Sequence, residues 1–378
     1  MIEIRAHLPP DKGNAEDKMT LGLCMIVKDE QEVLEKCFES VAGVFDEIVI
    51  VDTGSKDHTR EIAQKYADVT AAYRWKNDFS AARNYSFSLS SADYVMWLDA
   101  DDILLPEDKT ALLDLKKRLD GKTDVYMLLY RAGGKDNPSL LYYRERILKR
   151  SGGFFWQGAV HEAIVPHGVI EYSDIAVTHE KPAGRKATCR NLCILARSFA
   201  DGKMPDERQK FYFARELSDN GLYDTAASAF EWFLQGDGWS ENKISACRDL
   251  AHCYKVAGNR RKRLQALLKS FEYAPPRPEI CCDLGEYFFE VADYPQAIFW
   301  YKLAVNEKTD ARSGAFVMPD YGGFIPYIWL AVCYDRLGNY EKAMFCNEQA
   351  GKIKPHDKSY LHNKHYFENL IKDKGKLS

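Results

Sequence analysis

Three unbroken apolar runs, at 21–27, 48–51 and 94–98, each stand next to a stretch whose apolar residues recur at helical spacing. Runs of this kind are strands buried on both faces, and that burial requires helices on both sides of a parallel sheet. The first intervening helix carries Val33, Leu34, Cys37, Phe38 and Val41 on one face. A second is opened by Gly54-Ser55-Lys56-Asp57-His58-Thr59 and runs to about Ala67, and a third covers 79–89, with a short strand at 69–73 between them. The N-terminal half is therefore expected to be α/β. Shorter strand-like runs at 125–130, 140–148 and 169–177, broken by Gly152, Gly153 and Gly158, are expected to extend the sheet and frame an opening beside it. The first twenty residues, with Pro9, Pro10 and Gly13 among charges, carry no period and are expected to be a loose arm or an added strand.

After Pro182 the pattern turns helical and repeats itself. Turns recur at Gly221-Leu222-Tyr223, Gly258-Asn259-Arg260, Ala292-Asp293-Tyr294 and Gly338-Asn339-Tyr340, with small residues following at Ala226, Ala297 and Ala343. A period of about 34 residues with helix-turn-helix units resembles the tetratricopeptide repeat, whose units stack because none buries its apolar face alone. The longer gap before the fourth turn implies an inserted loop around 309–324. The expected organisation is an arm at 1–20, an α/β domain at 21–182, helical repeats at 183–358, and a C-terminal helix and tail at 359–378.

A length of 378 residues accommodates two such domains, each with its own core, and 46% hydrophobic against 29% charged residues describes a folded chain. The formal net charge of -4 provides no global field for a nucleic-acid backbone, so nucleic acid is not an expected partner. The basic run at 260–263 reads as a solvated turn. No stretch approaches the roughly 20 apolar residues of a membrane span. Ten scattered cysteines without a CxxC pattern fit free thiols in a reducing, cytoplasmic setting. Homo-oligomerisation is left open.

Chemistry concentrates where the third apolar run ends, at Asp99-Ala100-Asp101-Asp102. Ligands of open parallel sheets bind at the carboxyl ends of strands, and three carboxylates gathered there call for a hard divalent cation such as Mn²⁺ or Mg²⁺. A cation holding a diphosphate is the physical reading; a surface turn before the helix near Pro106 is the plainer alternative. Two other strand ends should lie beside it. One is the Ile26-Val27-Lys28-Asp29-Glu30 turn, where backbone groups of Ile26 and Val27 would meet a base or ribose. The other is Asp52 in Val51-Asp52-Thr53-Gly54-Ser55, whose carboxylate would accept from a base N–H or a sugar hydroxyl.

Taken in order, Met25-Ile26-Val27-Lys28-Asp29-Glu30, Val51-Asp52-Thr53-Gly54-Ser55, Ala82-Arg83-Asn84 and Leu98-Asp99-Ala100-Asp101-Asp102 resemble the family 2 glycosyltransferases of the GT-A fold. The resemblance implies a nucleotide-activated sugar, UDP-linked or otherwise, bound by the segments that contain Ile26, Val27, Lys28, Glu30 and Ala100. It further implies Asp52 near the base, Asp99 near the ribose, Asp101 on the metal and Arg83 near the nucleotide or its phosphates. Combined with tetratricopeptide-like repeats, the chain is similar to bacterial glycosyltransferases that modify peptides and proteins, which implies a peptide or protein acceptor presented by the repeats.

The acceptor side reads from Phe154-Phe155-Trp156-Gln157-Gly158-Ala159-Val160-His161-Glu162, which resembles a segment of the same enzymes. Trp156 offers a face that stacks on a sugar ring, or else a core side chain. Glu162 is assigned the general base that takes a proton from an acceptor hydroxyl or thiol, with His161 beside it. Enzymes of this fold often add a late histidine to the metal shell, and His179 is ranked for that position ahead of His161. Two rival functions are kept. One is a catalytically inactive α/β scaffold whose repeats are an interaction module; the other is a nucleotidyltransferase, disfavoured because no Gly-rich phosphate loop follows the first strand.

Overall fold

The apolar runs of the N-terminal half pair into one sheet in the computed structural model, which describes residues 2–4, 18–135, 137–180, 189–202 and 204–375. Its strands are β1 (Ile2–Ile4), β2 (Leu21–Val27), β3 (Glu47–Asp52), β4 (Val69–Ala72), β5 (Tyr94–Trp97), β6 (Asp102–Leu104), β7 (Val125–Ala132) and β8 (Leu140–Lys149). A short hairpin of β9 (Trp156–Gln157) and β10 (Ala163–Ile164) stands apart, and β11 (Ile170–His179) returns to the main sheet. The spatial order is β1-β4-β3-β2-β5-β8-β7-β11-β6. Strands β4, β3, β2 and β5 are mutually parallel, and beyond β5 the orientation is mixed.

Helices α1 (Leu34–Ser40), α2 (Thr59–Tyr66), α3 (Phe79–Leu89) and α4 (Pro106–Lys117) flank this sheet, followed by α5 (Arg190–Ala200). One face packs Leu21, Leu23, Met25 and Ile50 with Leu34, Phe38 and Tyr94; the other packs Cys24, Val49, Val95 and Trp97 with Trp156 and Ile164. Each such apolar side chain removed from water stabilises the fold by roughly 1.5–3 kcal/mol. Residues 2–4, in the segment expected to be a loose arm or an added strand, form a strand paired antiparallel to β4. The rest of that arm from 5 to 17, the expected domain boundary at 182–183 and the last three residues lie outside the described residues.

The chain divides into two units, Met1–Met204 and Pro205–Ser378. In the second, helices pair as the repeat pattern requires: α6 (Glu207–Asp219) with α7 (Tyr223–Phe233), α8 (Ser240–Val256) with α9 (Arg260–Lys269), α10 (Pro278–Glu290) with α11 (Tyr294–Asn306), and α12 (Phe324–Arg336) with α13 (Tyr340–Ile353). A last helix, α14 (Lys358–Gly375), follows. Every pair is joined through one residue of positive φ, at Gly221, Gly258, Ala292 and Gly338, so the third turn places an alanine where glycine is the unstrained choice. Ala226, Ala297 and Ala343 are fully buried where the paired helices approach. The insertion before α12 contains two 3-10 turns, Ala311–Ser313 and Pro319–Gly322. No helix among the described residues is long and apolar enough to cross a membrane.

Glu279, in the first turn of α10, is 6% exposed, and burial pushes its carboxyl above the ordinary value of 4.5. A carboxyl that holds its proton more tightly in the folded chain favours folding at low pH, and that contribution fades as pH rises through the raised value. Glu279→Gln is therefore expected to make the protein more stable than wild type to urea at pH 7, with the gap closing as pH falls toward 4. An equal gap at both pH values would refute the assignment.

Candidate active site

Strands β2 and β3 run in register with Val27 opposite Asp52, so the turns that leave them are neighbours. Hydrogen bonds stitch these turns together. Thr53 donates both its N–H and its hydroxyl to the Val27 carbonyl at 3.0 and 3.2 Å. The Asp29 N–H donates to Ser55 Oγ at 3.0 Å, Lys56 N–H to Asp29 Oδ1 at 2.7 Å, and Glu30 N–H to Thr59 Oγ1 at 2.8 Å. Asp29 accommodates the sharp bend with a φ of 53°, a conformation that aspartate tolerates better than most residues. Asp52 is buried, and its carboxylate accepts from the N–H groups of Gly54 and Ser55 and from Arg60 Nε at 2.7 Å. With Arg60, Gln64 and Thr70 it lines a cavity of about 140 Å³. Ile26 is half-buried, Lys28 exposed and Glu30 half-buried. The Val27 carbonyl, one of the backbone groups expected to meet a nucleotide, accepts from Thr53 in this structure.

Helix α3 begins where Asp78 caps it by accepting from the Ala81 N–H, and it delivers Arg83 to the end of β5. Arg83 is buried and bridges two carboxylates: Nη2 donates to Asp99 Oδ1 and Nε to Glu162 Oε1, each at 2.7 Å. Its guanidinium lies 5.2 Å from the Trp97 ring centroid and 4.8 Å from that of Trp156. Burial opposes the Asp99 charge, but the Arg83, Arg146 and Arg144 guanidiniums outweigh it and hold the carboxyl down to about 2. Asn84, the next residue, clasps the Trp156 backbone from both sides, accepting its N–H at 2.7 Å and donating to its carbonyl at 3.0 Å. The Ala82-Arg83-Asn84 motif is thus a strut between α3 and β9.

Arg83, Asp99, His161 and Glu162 line one cavity of about 240 Å³ together with Trp97, Arg144 and Arg190. His161 sits at a φ of 52° in the loop that presents Glu162. Trp156 borders this cavity from inside the core: it is 2% exposed and packs 4.8 Å from Trp97 in an edge-on arrangement. Of the two expectations for Trp156, a sugar-stacking face or a core side chain, this packing matches the core one, with Arg83 and Trp97 against the indole. Arg144 and Arg190 line this cavity without any motif to mark them, since a charged residue in a strand or helix start gives no signal of its own.

The second cluster forms where β6 pairs antiparallel with β11, in a register that sets His179 directly opposite Asp102. Ligand atoms of Asp101, Asp102 and His179 lie within 4.8 Å of one another. His179 Nδ1 is 3.4 Å from Asp101 Oδ1 and 3.3 Å from Asp102 Oδ1. The hydrogen bond to Asp102 pushes the imidazole pKa up, and burial pulls it back only in part. Burial, with Asp99 and Asp102 as like charges, pushes the Asp101 carboxyl up against the opposing pull of His179. Two carboxylates and an imidazole are a donor set suited to Mn²⁺ or Mg²⁺. Ala100 is buried between the acidic residues. Asp102 is a fully buried strand residue, unlike the surface turn that was the plainer alternative for this segment, and its Oδ2 accepts the Asp99 N–H at 3.1 Å, which ties the Asp101–Asp102–His179 cluster to the Arg83 cavity.

Residues 23–173 match the sequence model described as Glycosyl transferase family 2. Over 303 residues the chain is 25% identical to a TPR repeat-containing protein of Synechococcus elongatus, an overlap of 79% of this chain and 69% of that protein. It is 33% identical over 106 residues to the SPbeta prophage-derived glycosyltransferase SunS of Bacillus subtilis, covering 28% of this chain and 25% of the relative. It is 31% identical over 167 residues to the lipopolysaccharide core biosynthesis glycosyltransferase LpsC of Rhizobium meliloti, covering 40% of this chain and 60% of that one. The chain thus spans a quarter of the length of SunS and less than two thirds of that of LpsC.

Proposed function

From the premise that residues 23–173 form a family 2 glycosyltransferase domain, followed by tetratricopeptide-like repeats, we propose that the chain transfers a sugar from a nucleotide-sugar donor, UDP-linked, to a peptide or protein acceptor. The observation that carries this reading is the convergence of Asp101, Asp102 and His179 just beyond the end of β5, joined through Asp102 to Asp99 in the Arg83 cavity. That is where ligands of such sheets bind. When bound by Asp101 and His179, Mn²⁺ or Mg²⁺ supplies charge neutralisation for a diphosphate leaving group.

The remaining roles belong to the chain. Asp99, kept ionised by its guanidinium neighbours, accepts from a ribose hydroxyl, and Asp52 accepts from the base once its turn is shared with the donor. Glu162 gives one oxygen to Arg83 and takes the acceptor proton on the other, with His161 at the same wall of the cavity. The repeat unit carries a cavity of about 530 Å³ lined by Arg248, Lys255, Asp283, Glu286, Tyr321 and Trp329, a polar and aromatic surface suited to an acceptor segment.

A thermal-shift screen of nucleotide sugars with Mn²⁺, followed by transfer assays, tests this reading. UDP-sugars are expected to raise the melting temperature only with the metal present. Glu162→Gln is expected to keep that shift while transfer falls by about 10²–10⁴-fold, the range of a lost general base. A chain that binds no nucleotide sugar would return the interaction-module reading. Transfer to lipopolysaccharide core oligosaccharide in place of peptides would replace the acceptor class and leave the donor site standing.

A further inference from the structure

Arg146 is the largest fully buried side chain among the described residues, and it sits on β8 in the middle of the sheet. Its Nη1 donates to Asp102 Oδ2 at 3.0 Å and to the Trp97 carbonyl at 3.1 Å. Its guanidinium lies 3.8 Å from the Trp97 ring centroid and 5.6 Å from that of Tyr130, while Nε and Nη2 are buried without a hydrogen-bond partner. A cation enclosed in this way is an expensive device for stability, since a well-packed apolar pair of similar volume serves as well or better. Packing therefore does not require it. What Arg146 does accomplish is electrostatic, because it forms an ion pair with the buried member of the Asp101–Asp102–His179 group.

The charge of that group follows directly. In the form that ligates a cation, with both carboxylates ionised and the imidazole neutral, Asp101 and Asp102 make it doubly negative, and a divalent cation would bring it to zero. With Arg146 the group holds a single negative charge, is weaker toward a cation by itself, and becomes net positive once loaded. A net positive centre attracts a diphosphate; a neutral one does so much less. We infer that Arg146 is a positioning residue that sets the charge of the Asp101–Asp102–His179 group, so that a divalent cation is held tightly only together with an anionic nucleoside diphosphate. The inference rests on the cation site proposed above and adds a residue that touches neither donor nor acceptor. Asp102 transmits the effect, since its other contacts fix the Asp99 N–H and the His179 ring.

The test measures Mn²⁺ binding to the full chain by calorimetry, first alone and then with UDP, for wild type, Arg146→Met and Arg146→Lys. Wild type is expected to bind Mn²⁺ weakly alone and more tightly with UDP. R146M is expected to bind Mn²⁺ alone about tenfold more tightly than wild type, as one unit of opposing charge nearby is removed, and to lose most of the UDP enhancement. R146K is expected to restore the wild-type pattern, which a merely structural role would not predict. A folded R146M whose affinity for Mn²⁺ alone is unchanged or weaker overturns the inference. Should R146M not fold unaided, Mn²⁺ is expected to recover folded protein on refolding, and failure to do so overturns it equally. Wild type that binds Mn²⁺ neither alone nor with UDP overturns the cation site itself, which separates that failure from this one.

Discussion

Asp101→Ala is expected to lower sugar transfer and donor hydrolysis by about 10³-fold or more while the protein stays folded, because a metal contributes several kcal/mol of charge stabilisation to a leaving group and each 1.36 kcal/mol is tenfold in rate. The side chain is 16% exposed, and its partner His179 keeps Asp102 when Asp101 is removed. Stability should hold or rise slightly. Burial and the like charges of Asp99 and Asp102 already press the Asp101 carboxyl toward its neutral form, so its ionised state opposes folding. Circular dichroism and a melting curve would establish the fold, and a radiolabelled or coupled transfer assay the rate. A folded D101A retaining full activity would remove the cation from the reaction.

Arg83→Met is expected to have the largest effect on stability, a loss of about 3–5 kcal/mol, the usual consequence of removing one partner from a buried ionic group. Both Asp99 and Glu162 depend on this guanidinium, and Glu162 has a side chain only 11% exposed. The two indoles beside it, Trp97 and Trp156, would also lose a cation over their faces. Arg83→Lys is expected to recover part of the loss, since one ammonium reaches one carboxylate but does not reproduce the fork. Urea denaturation followed by tryptophan fluorescence reads the difference. An R83M variant within about 1 kcal/mol of wild type would mean that the Asp99–Arg83–Glu162 bridge is not what holds the cavity wall.

Much of this arrangement is legible in the chain because parallel strands buried on both faces announce themselves as apolar runs, and a run that stops at an acid marks a strand end. Asp52 and Asp99 are read in that way. The repeat turns are equally plain, since a residue of positive φ selects glycine three times out of the four. Strand β6 is not legible, because three residues starting with aspartate look like a turn until β11 arrives to pair with them. Arg146 is hidden for a related reason: alternating charges on β8 suggest a solvated face, yet its neighbours β5 and β7 bury it. Trp156 reads the same in a core and on a sugar platform, because its packing against Arg83 and Trp97 joins residues far apart in the chain. The Arg83–Glu162 contact joins residues 79 positions apart, beyond the reach of any local period.

Among the described residues β6 is the last strand of the sheet, attached along one side only, to β11. Asp102 and His179 face each other across that single seam. Separation of the seam would part the His179 imidazole from the Asp102 carboxylate while leaving the ladders among β4, β3, β2 and β5 in place. The geometry of the Asp101–Asp102–His179 cluster thus depends on three residue pairs of backbone ladder at the margin of the sheet as well as on the side chains themselves.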